Sequence, residues 1–528
     1  MLTRRPRLVV ALLILIAAMR LIPTYRVFSA TADEATHVGA GLEAMQLHRY
    51  WLQRLNPPLA RVVLALVPYA KGMRFNPAGS FGDQLHSVFY GTGKYESNLF
   101  AARIGNLVFL AIGTCALFAW TRAELDTEAA LVATFLFTFQ PVILGHAGLA
   151  TNDMAATAGL AVAVCAFAAA LRKRTIASAA LFGAAYGFAV ACKFSNIAFV
   201  PIACGSIFVI RAIRQRAQMR TLMMGAARMI VAVVVVTPLT IWAAYAFSIG
   251  RLHDLHENAD AYGDRFVRFV AAHPNIPLPA PMFFDGVGGI TKIDRAGFTS
   301  FFFGEVREYG FPWYFPVVIA MKTTIAFLLL IAAAAFVRSG VVVECAAIAA
   351  IMLLLAARSN LDLGIRYLLP IYVPLTFISA ATAMTLFRQS RHAAIAVVIV
   401  LAAHGVASLA AHPDYFPYFN LTAGRDPSRY FVDSNLDWGQ DVLRLRKALQ
   451  KRHVDRVGLS LMGSPDLDAL HFPPHYPLSG EQPTGGWIAI SDHVYRMENS
   501  SNGAFGWLYK YKYKRIGTSI RLTYIPYK

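Results

Sequence analysis

Two adjacent carboxylates, Asp33 and Glu34, stand in the stretch SATADEATHVG, about ten residues past the end of a continuous apolar run, 8–22. A carboxylate at such a membrane entry point either sits in a wet loop or serves as a general base. As a base it accepts the proton of an attacking hydroxyl or amide, provided partial burial raises its pKa toward neutrality. A second acidic residue, Asp153, lies in GHAGLATNDMAAT, between two apolar runs separated by only a few residues. A charge at bilayer depth costs about 2.5–3.5 kcal/mol on insertion scales, which marks a partner or a function. Asn152 and Asp153 can also simply cap the helix that follows. Five cations complete the set: Arg61, Arg103, Lys193, Lys322 and Arg366. Each alone is explained by snorkelling to the interface. Gathered on one face, they supply the anion site that a phosphate leaving group needs.

Other chemistries fit poorly. No GxxxxGK[ST] is present, so nothing suggests an ATP-driven pump. His37, four residues after Asp33, could join Glu34 on a metal, but no HExxH or Cys/His spacing supports zinc, and no metal ligand is assigned. No cofactor is required. A divalent cation between Asp33 and Asp153 is left open, because carboxylates suit such ions.

The elements that position these residues follow from composition. Only 15% of the 528 residues are charged and 57% are hydrophobic, at a mean hydropathy of +0.49, where a soluble chain carries about 25% charge. The class is a polytopic α-helical membrane protein of about eleven spans, near 8–24, 99–120, 129–145, 154–171, 176–192, 196–210, 229–247, 316–337, 341–356, 367–387 and 393–411. The run 57–70, PPLARVVLALVPYA, is too short to cross and reads as a re-entrant or interfacial helix with Pro58 in its first turn.

Arginines fix the orientation. Arg4, Arg5, Arg7, Arg122, the triplet Arg172-Lys173-Arg174, five arginines from Arg211 to Arg228, Arg338, Arg388 and Arg391 all fall in alternate loops. These loops are cytoplasmic by the positive-inside rule. Asp33, the turn at 146–153, the outer loops 25–98 and 248–315 and the C-terminal tail then lie outside. The net charge of +19 is thereby a topology signal rather than a nucleic-acid one. The five cysteines fall in apolar runs and imply no disulfide framework. The N-terminal run reads as an uncleaved span of an inner-membrane protein.

From residue 412 the composition becomes soluble. GQDVLRLRKALQKR places Val442, Leu445 and Leu449 on one helical face, and RVGLSLMG, GWIAISDHV and IGTSIRLTYI read as strands. The chain therefore divides into a membrane domain, 1–411, and a small extramembrane α/β domain, 412–528. In SNLDWGQD, Ser434 or Asp437 can cap the following helix, and a structural role is favoured for that segment.

Taken together, these residues resemble the bacterial protein mannosyltransferase-like group of GT-C glycosyltransferases, which includes dolichyl-phosphate-mannose-protein mannosyltransferases and aminoarabinose transferases. The resemblance rests on the acidic pair after the first span, the Pro-Pro segment some twenty residues later and the Arg opening the second span. It rests also on ATNDM, GIRYLLPIY and SNLDWGQDV, and it runs from about 10 to 525. It implies transfer of a sugar from a polyprenyl-phosphate-linked donor, usually with inversion, to a protein, lipid or glycan acceptor on the outer face. It implies Asp33 as base, Asp153 as the second acidic residue of the site, and Arg61, Arg103 and Arg366 at the group's basic positions; the residues' own chemistry adds Glu34 to the acidic set and Lys193, Lys322 and Tyr367 to the expected binders of lipid phosphate or sugar. The sequence departs at Asn56, where relatives often carry His or another functional polar residue. Acceptor specificity is expected in loop 248–315 and the C-terminal domain. The rival readings are a transporter or flippase of lipid-linked sugars, and a lipid-linked glycan ligase or polymerase. Against the transporter, the charges gather at one face and the two halves of the chain are not repeats.

Overall fold

The computed structural model describes residues 5–255 and 257–527, apart from the side chains of 218–221. Arg4 and the side chain of Arg220 therefore lie outside the described residues. All eleven predicted apolar runs are helical. Among the described residues, seven helices are long and apolar enough to cross a membrane: Pro6–Arg26, Tyr95–Glu124, Asp153–Lys173, Asn196–Arg214, Leu222–Ala244, Leu369–Gln389 and Arg391–Ala410.

Two predicted spans are not straight. Thr127–Thr138 and Pro141–Ala147 meet at 62°, and Tyr314–Lys322 and Ile325–Phe336 at 116°. Pro141 opens the second helix of the first pair and holds Gln140 extended. In the second pair Thr323 and Thr324 are both extended, and the Thr324 hydroxyl caps the helix that restarts after it. Counting each bent pair as one span gives nine. Ile176–Cys192 and Gly340–Ala356, at 17 residues each, stand at the short end of spanning length.

Two spans are enclosed by the others. Asp153–Lys173 is 83% buried and Leu369–Gln389 is 89% buried, whereas Pro6–Arg26 and Arg391–Ala410 are mostly on the outside. The run of Ala and Gly in DMAATAGLAVAVCAFAAALRK allows such close packing, because small residues let helix backbones approach. The first enclosed span begins at Asp153 and the second begins two residues after Tyr367, so the candidate residues sit at the mouths of the most deeply packed helices.

The outer segment 25–98 is itself helical, with Glu34–Leu47, Pro58–Ala70 and Phe81–Tyr90. Pro58–Ala70 has 13 residues, too few to span, and Pro58 stands in its first turn. It crosses Glu34–Leu47 at Gly41, where a Cβ would come within 2.1 Å of the Arg61 carbonyl oxygen. Only glycine permits that approach.

The C-terminal part carries a mixed five-stranded sheet in the order His475–Pro477, Val457–Ser460, Gly486–Ser491, Ile520–Ile525, Lys514–Ile516. The three predicted strands are its centre; the two short strands at the edges escaped sequence reading. Val442, Leu445 and Leu449 are buried as the amphipathic pattern requires, on the helix Val442–Gln450. The preceding stretch, 412–441, is soluble in composition but holds no element longer than three residues and is tied into the helical domain. The Lys322 ammonium donates to the Phe416 carbonyl at 2.9 Å, and the Asn420 amide donates to the carbonyls of Ala320 and Thr323, both at 2.7 Å.

Candidate active site

Asp33 holds the N-cap position of Glu34–Leu47, yet its side chain makes no capping hydrogen bond. Its Oδ2 instead accepts from Arg366 Nη1 at 2.6 Å, across 333 residues of sequence. Among the described residues Oδ1 has no hydrogen-bond donor, and the Asp33 side chain keeps 37% of its surface against 11% for Arg366. The helix N-terminus favours its negative charge.

Arg366 lies in the 3₁₀ turn Ile365–Tyr367, entered through Gly364 at φ +94°, where a Cβ would meet the Ser434 hydroxyl at 2.3 Å. Its Nε donates to the Leu363 carbonyl at 3.1 Å, and its guanidinium lies over the rings of Trp438 at 4.3 Å and Tyr367 at 5.1 Å. Burial is the largest single influence and works against the Arg366 charge, but Asp33, Tyr367, Asp153 and Asp433 together outweigh it and hold the group protonated above its ordinary range.

Asp153 is wholly buried. Its Oδ1 accepts from Lys193 Nζ at 2.5 Å and its Oδ2 from the Thr151 hydroxyl at 2.9 Å. The capping reading of this turn is corrected: neither Asn152 nor Asp153 caps the helix, and the Asn152 amide donates to Asn56 Oδ1 at 2.7 Å. Lys193 Nζ also lies over the Tyr367 ring, 4.9 Å from its centroid. Asp33, Arg366, Tyr367, Lys193 and Asp153 thus form one continuous chain of contacts, a juxtaposition of residues from four separate outer segments.

His37 is the residue that sequence reasoning weighed only as a metal ligand. It lies one helical turn beyond Asp33, on the same face by its i+4 spacing, and is buried with no hydrogen bond at Nδ1. Burial, aided by the Arg61 charge, pushes its imidazole down to about 3, so it is neutral. Asp33, Asp153 and Arg366 also act on it electrostatically. Arg61 is buried as well, donating to the Gln53 carbonyl at 2.5 Å and to the Gln53 side-chain oxygen, and burial lowers it to about 10. With Asn56 and Tyr245 it lines a small cavity that shares Tyr50, Arg54 and Met282 with a larger outer cleft of about 340 Å³.

Three expected site residues have their charged groups bonded inside the protein. Glu34 and Arg103 are both fully buried and saturate one another. Glu34 Oε1 accepts from Arg103 Nε at 2.8 Å and from the Ala150 amide at 2.7 Å, and Oε2 accepts from Arg103 Nη2 at 2.7 Å and the Thr31 amide at 2.9 Å. The remaining Arg103 donors go to the carbonyls of Phe28 at 2.9 Å and Ser29 at 2.7 Å. Neither side chain has a free group to offer a substrate. Lys322, at the 116° bend, spends its ammonium on the carbonyls of Phe416 and Asn435 and lies 4.6 Å from the Phe419 ring. In all three, a charged group that looks interfacial in sequence finds its hydrogen-bond partners inside the protein.

The segment 434–442 joins the two sides of the site. Ala32 and Ser29 amides donate to the carbonyls of Trp438 at 3.1 Å and Gln440 at 2.9 Å, while the Ser434 hydroxyl donates to the Leu363 carbonyl and Asn435 Oδ1 accepts from the Ile365 amide at 3.0 Å. It thereby holds the Asp33 loop against the Arg366 turn. The expected cap by Ser434 or Asp437 on the next helix is corrected: Asp437 Oδ2 accepts from the His493 amide at 2.8 Å, in the first turn of Asp492–Asn502.

Burial raises Asp437 from 3.8 to about 6. A carboxyl raised on folding contributes stability that is full below the unfolded value and lost as pH rises through the folded one. Unfolding midpoints measured by scanning fluorimetry should therefore fall between about pH 4 and pH 6 and level off above that, and Asp437→Asn should flatten that fall while leaving turnover near wild type. An unchanged slope in the variant, or lost turnover in a folded variant, would rule this role out.

Among the described residues no three His, Cys, Asp or Glu side chains gather in an arrangement that could hold a metal ion. With this geometry in place, the chain can be compared with known proteins. The sequence pattern of the family described as dolichyl-phosphate-mannose-protein mannosyltransferase matches residues 93–242. Among solved structures, the chain is similar to the archaeal oligosaccharyltransferase AglB from Archaeoglobus fulgidus, in complex with an inhibitory peptide and a dolichol-phosphate. The two share 12% identity over 99% of this chain and 75% of AglB, at a TM-score of 0.50. It is also similar to ArnT from Cupriavidus metallidurans bound to undecaprenyl phosphate, at 12% identity over 97% of both chains and a TM-score of 0.48. No curated protein matches it by sequence.

Proposed function

We propose that this multi-pass membrane protein is a GT-C glycosyltransferase that transfers a sugar from a polyprenyl-phosphate-linked donor to an acceptor at the outer face of the cytoplasmic membrane; the family pattern over residues 93–242 and the fold shared with AglB support this reading. Asp33 is the general base and the anomeric carbon is inverted. The observation that carries this reading is the half-exposed Asp33 carboxylate, with one oxygen on Arg366 and the other open, at the mouths of the two most enclosed spans.

In the step itself, the acceptor hydroxyl attacks the anomeric carbon while Asp33 Oδ1 takes its proton. The bond from that carbon to the phosphate oxygen breaks, and polyprenyl phosphate leaves. Arg366, with Arg61 nearby, faces the charge that grows on the phosphate. Lys193 is held by Asp153 and steadies the Tyr367 ring against Arg366. Neutral His37 offers Nδ1 as a hydrogen-bonding atom for the sugar. The phosphate of a lipid-linked donor stays at headgroup height, which is why base and clamp belong at outer span ends. The arginine bias supports the outward orientation.

Purified protein incubated with a panel of polyprenyl-phosphate sugars and a peptide acceptor should release the carrier phosphate with at least one donor. Release with none, by folded protein and with lipid and glycan acceptors also supplied, would count against transfer. Each site carboxylate already has an organic cation, so EDTA should leave turnover within about twofold. Loss of activity restored by Mn²⁺ or Mg²⁺ would instead place a divalent ion between Asp33 and Asp153.

A further inference from the structure

Another cavity lies at the end of the molecule away from Asp33. It is a groove of about 550 Å³ between Pro6–Leu21 and Asn106–Glu124. Val10 and Phe118 are buried in its wall and Ile14 packs against them, so its lining is apolar. Arg7 and Arg122 stand beside it, at opposite chain ends of the two antiparallel helices but the same end in space.

Both arginines are exposed, and among the described residues neither has an ion pair or hydrogen bond. The acid closest to Arg122 in sequence, Glu124, is already held by Arg172 and by Arg211, the latter at 2.8 Å. Arginines at span ends ordinarily meet headgroups without selecting among them. Here two uncompensated charges flank one concave apolar wall. From Arg7 to Ile14 the wall runs about 10 Å at 1.5 Å per residue, inside the roughly 15 Å of one leaflet.

We propose that this groove is a binding site for an anionic diacyl phospholipid of the bilayer, with an acyl chain along Val10, Ile14 and Phe118 and the phosphate between Arg7 and Arg122. Charge complementarity selects the occupant: a zwitterionic lipid brings its own cation to the two guanidinium groups, whereas an anionic one does not. The site is independent of the sugar-transfer reading, because it shares no residue with the Asp33 cluster.

Native mass spectrometry of the full chain in neutral detergent, titrated with phosphatidylglycerol or phosphatidylcholine, tests it. Wild type should retain phosphatidylglycerol preferentially. Arg7→Gln with Arg122→Gln should weaken that retention about fivefold per arginine without changing phosphatidylcholine binding. Ala119→Trp, at an exposed groove position, should expel the lipid with both arginines intact. Equal retention of the two lipids by wild type, an undiminished preference in the double variant, or full retention in folded Ala119→Trp would each overturn the proposal.

Discussion

Asp33→Asn is expected to lower turnover by about 10²–10⁴-fold, the usual contribution of a general base, while leaving the donor bound. The amide keeps the shape of the carboxyl and an oxygen for Arg366, but it cannot accept the acceptor's proton. Removing the charge leaves Arg366 a neutral acceptor in place of its ion pair at 2.6 Å, so its charge is less compensated and donor affinity should hold or rise while kcat falls. Steady-state kinetics together with a direct donor-binding measurement separate the two. Turnover within a few-fold of wild type would return Asp33 to a bare loop carboxylate and shift the base to Asp153. That residue starts from a weaker position, because both of its oxygens are occupied and it is fully buried. Asp153→Asn is therefore expected to act mainly through Lys193, with a smaller loss than at Asp33.

Arg103→Ala is expected to damage the fold rather than the chemistry. It leaves Glu34 charged at 0% exposure beside two amides, and stranding one partner of a buried pair costs about 3–5 kcal/mol. Against a total stability of roughly 5–15 kcal/mol, that is enough to cut the yield of folded protein severely. Fluorescence-detected size exclusion with a thermal ramp reads this directly. Glu34→Gln should be destabilising in the same direction, because the Arg103 guanidinium then lacks its counter-charge. A variant Arg103→Ala that folds with the wild-type midpoint and shows only a raised donor KM would restore Arg103 to the phosphate site.

Much of this protein was legible in its sequence because the bilayer enforces strong, local rules. Helix positions followed from unbroken apolar length, and the soluble helix and central strands followed from periodicity at Val442, Leu445 and Leu449 and in RVGLSLMG. Asp33 and Asp153 stood out because carboxylates beside apolar runs are expensive. The bends escaped, since a Thr-Thr pair or a Pro between two apolar halves does not interrupt hydropathy.

What the sequence could not decide was which charge meets which. Asp33 and Glu34 are neighbours in the chain, yet successive positions on a helix start face different ways: one opens toward Arg366 and the other closes on Arg103. Pairing across 333 residues depends on the segment 434–442 docking between loop 29–32 and turn 363–365, which composition assigns to a separate soluble domain. An ion pair has no periodicity and leaves no local trace. Only the packed chain distinguishes a cation held for a substrate from one already satisfied by its own backbone.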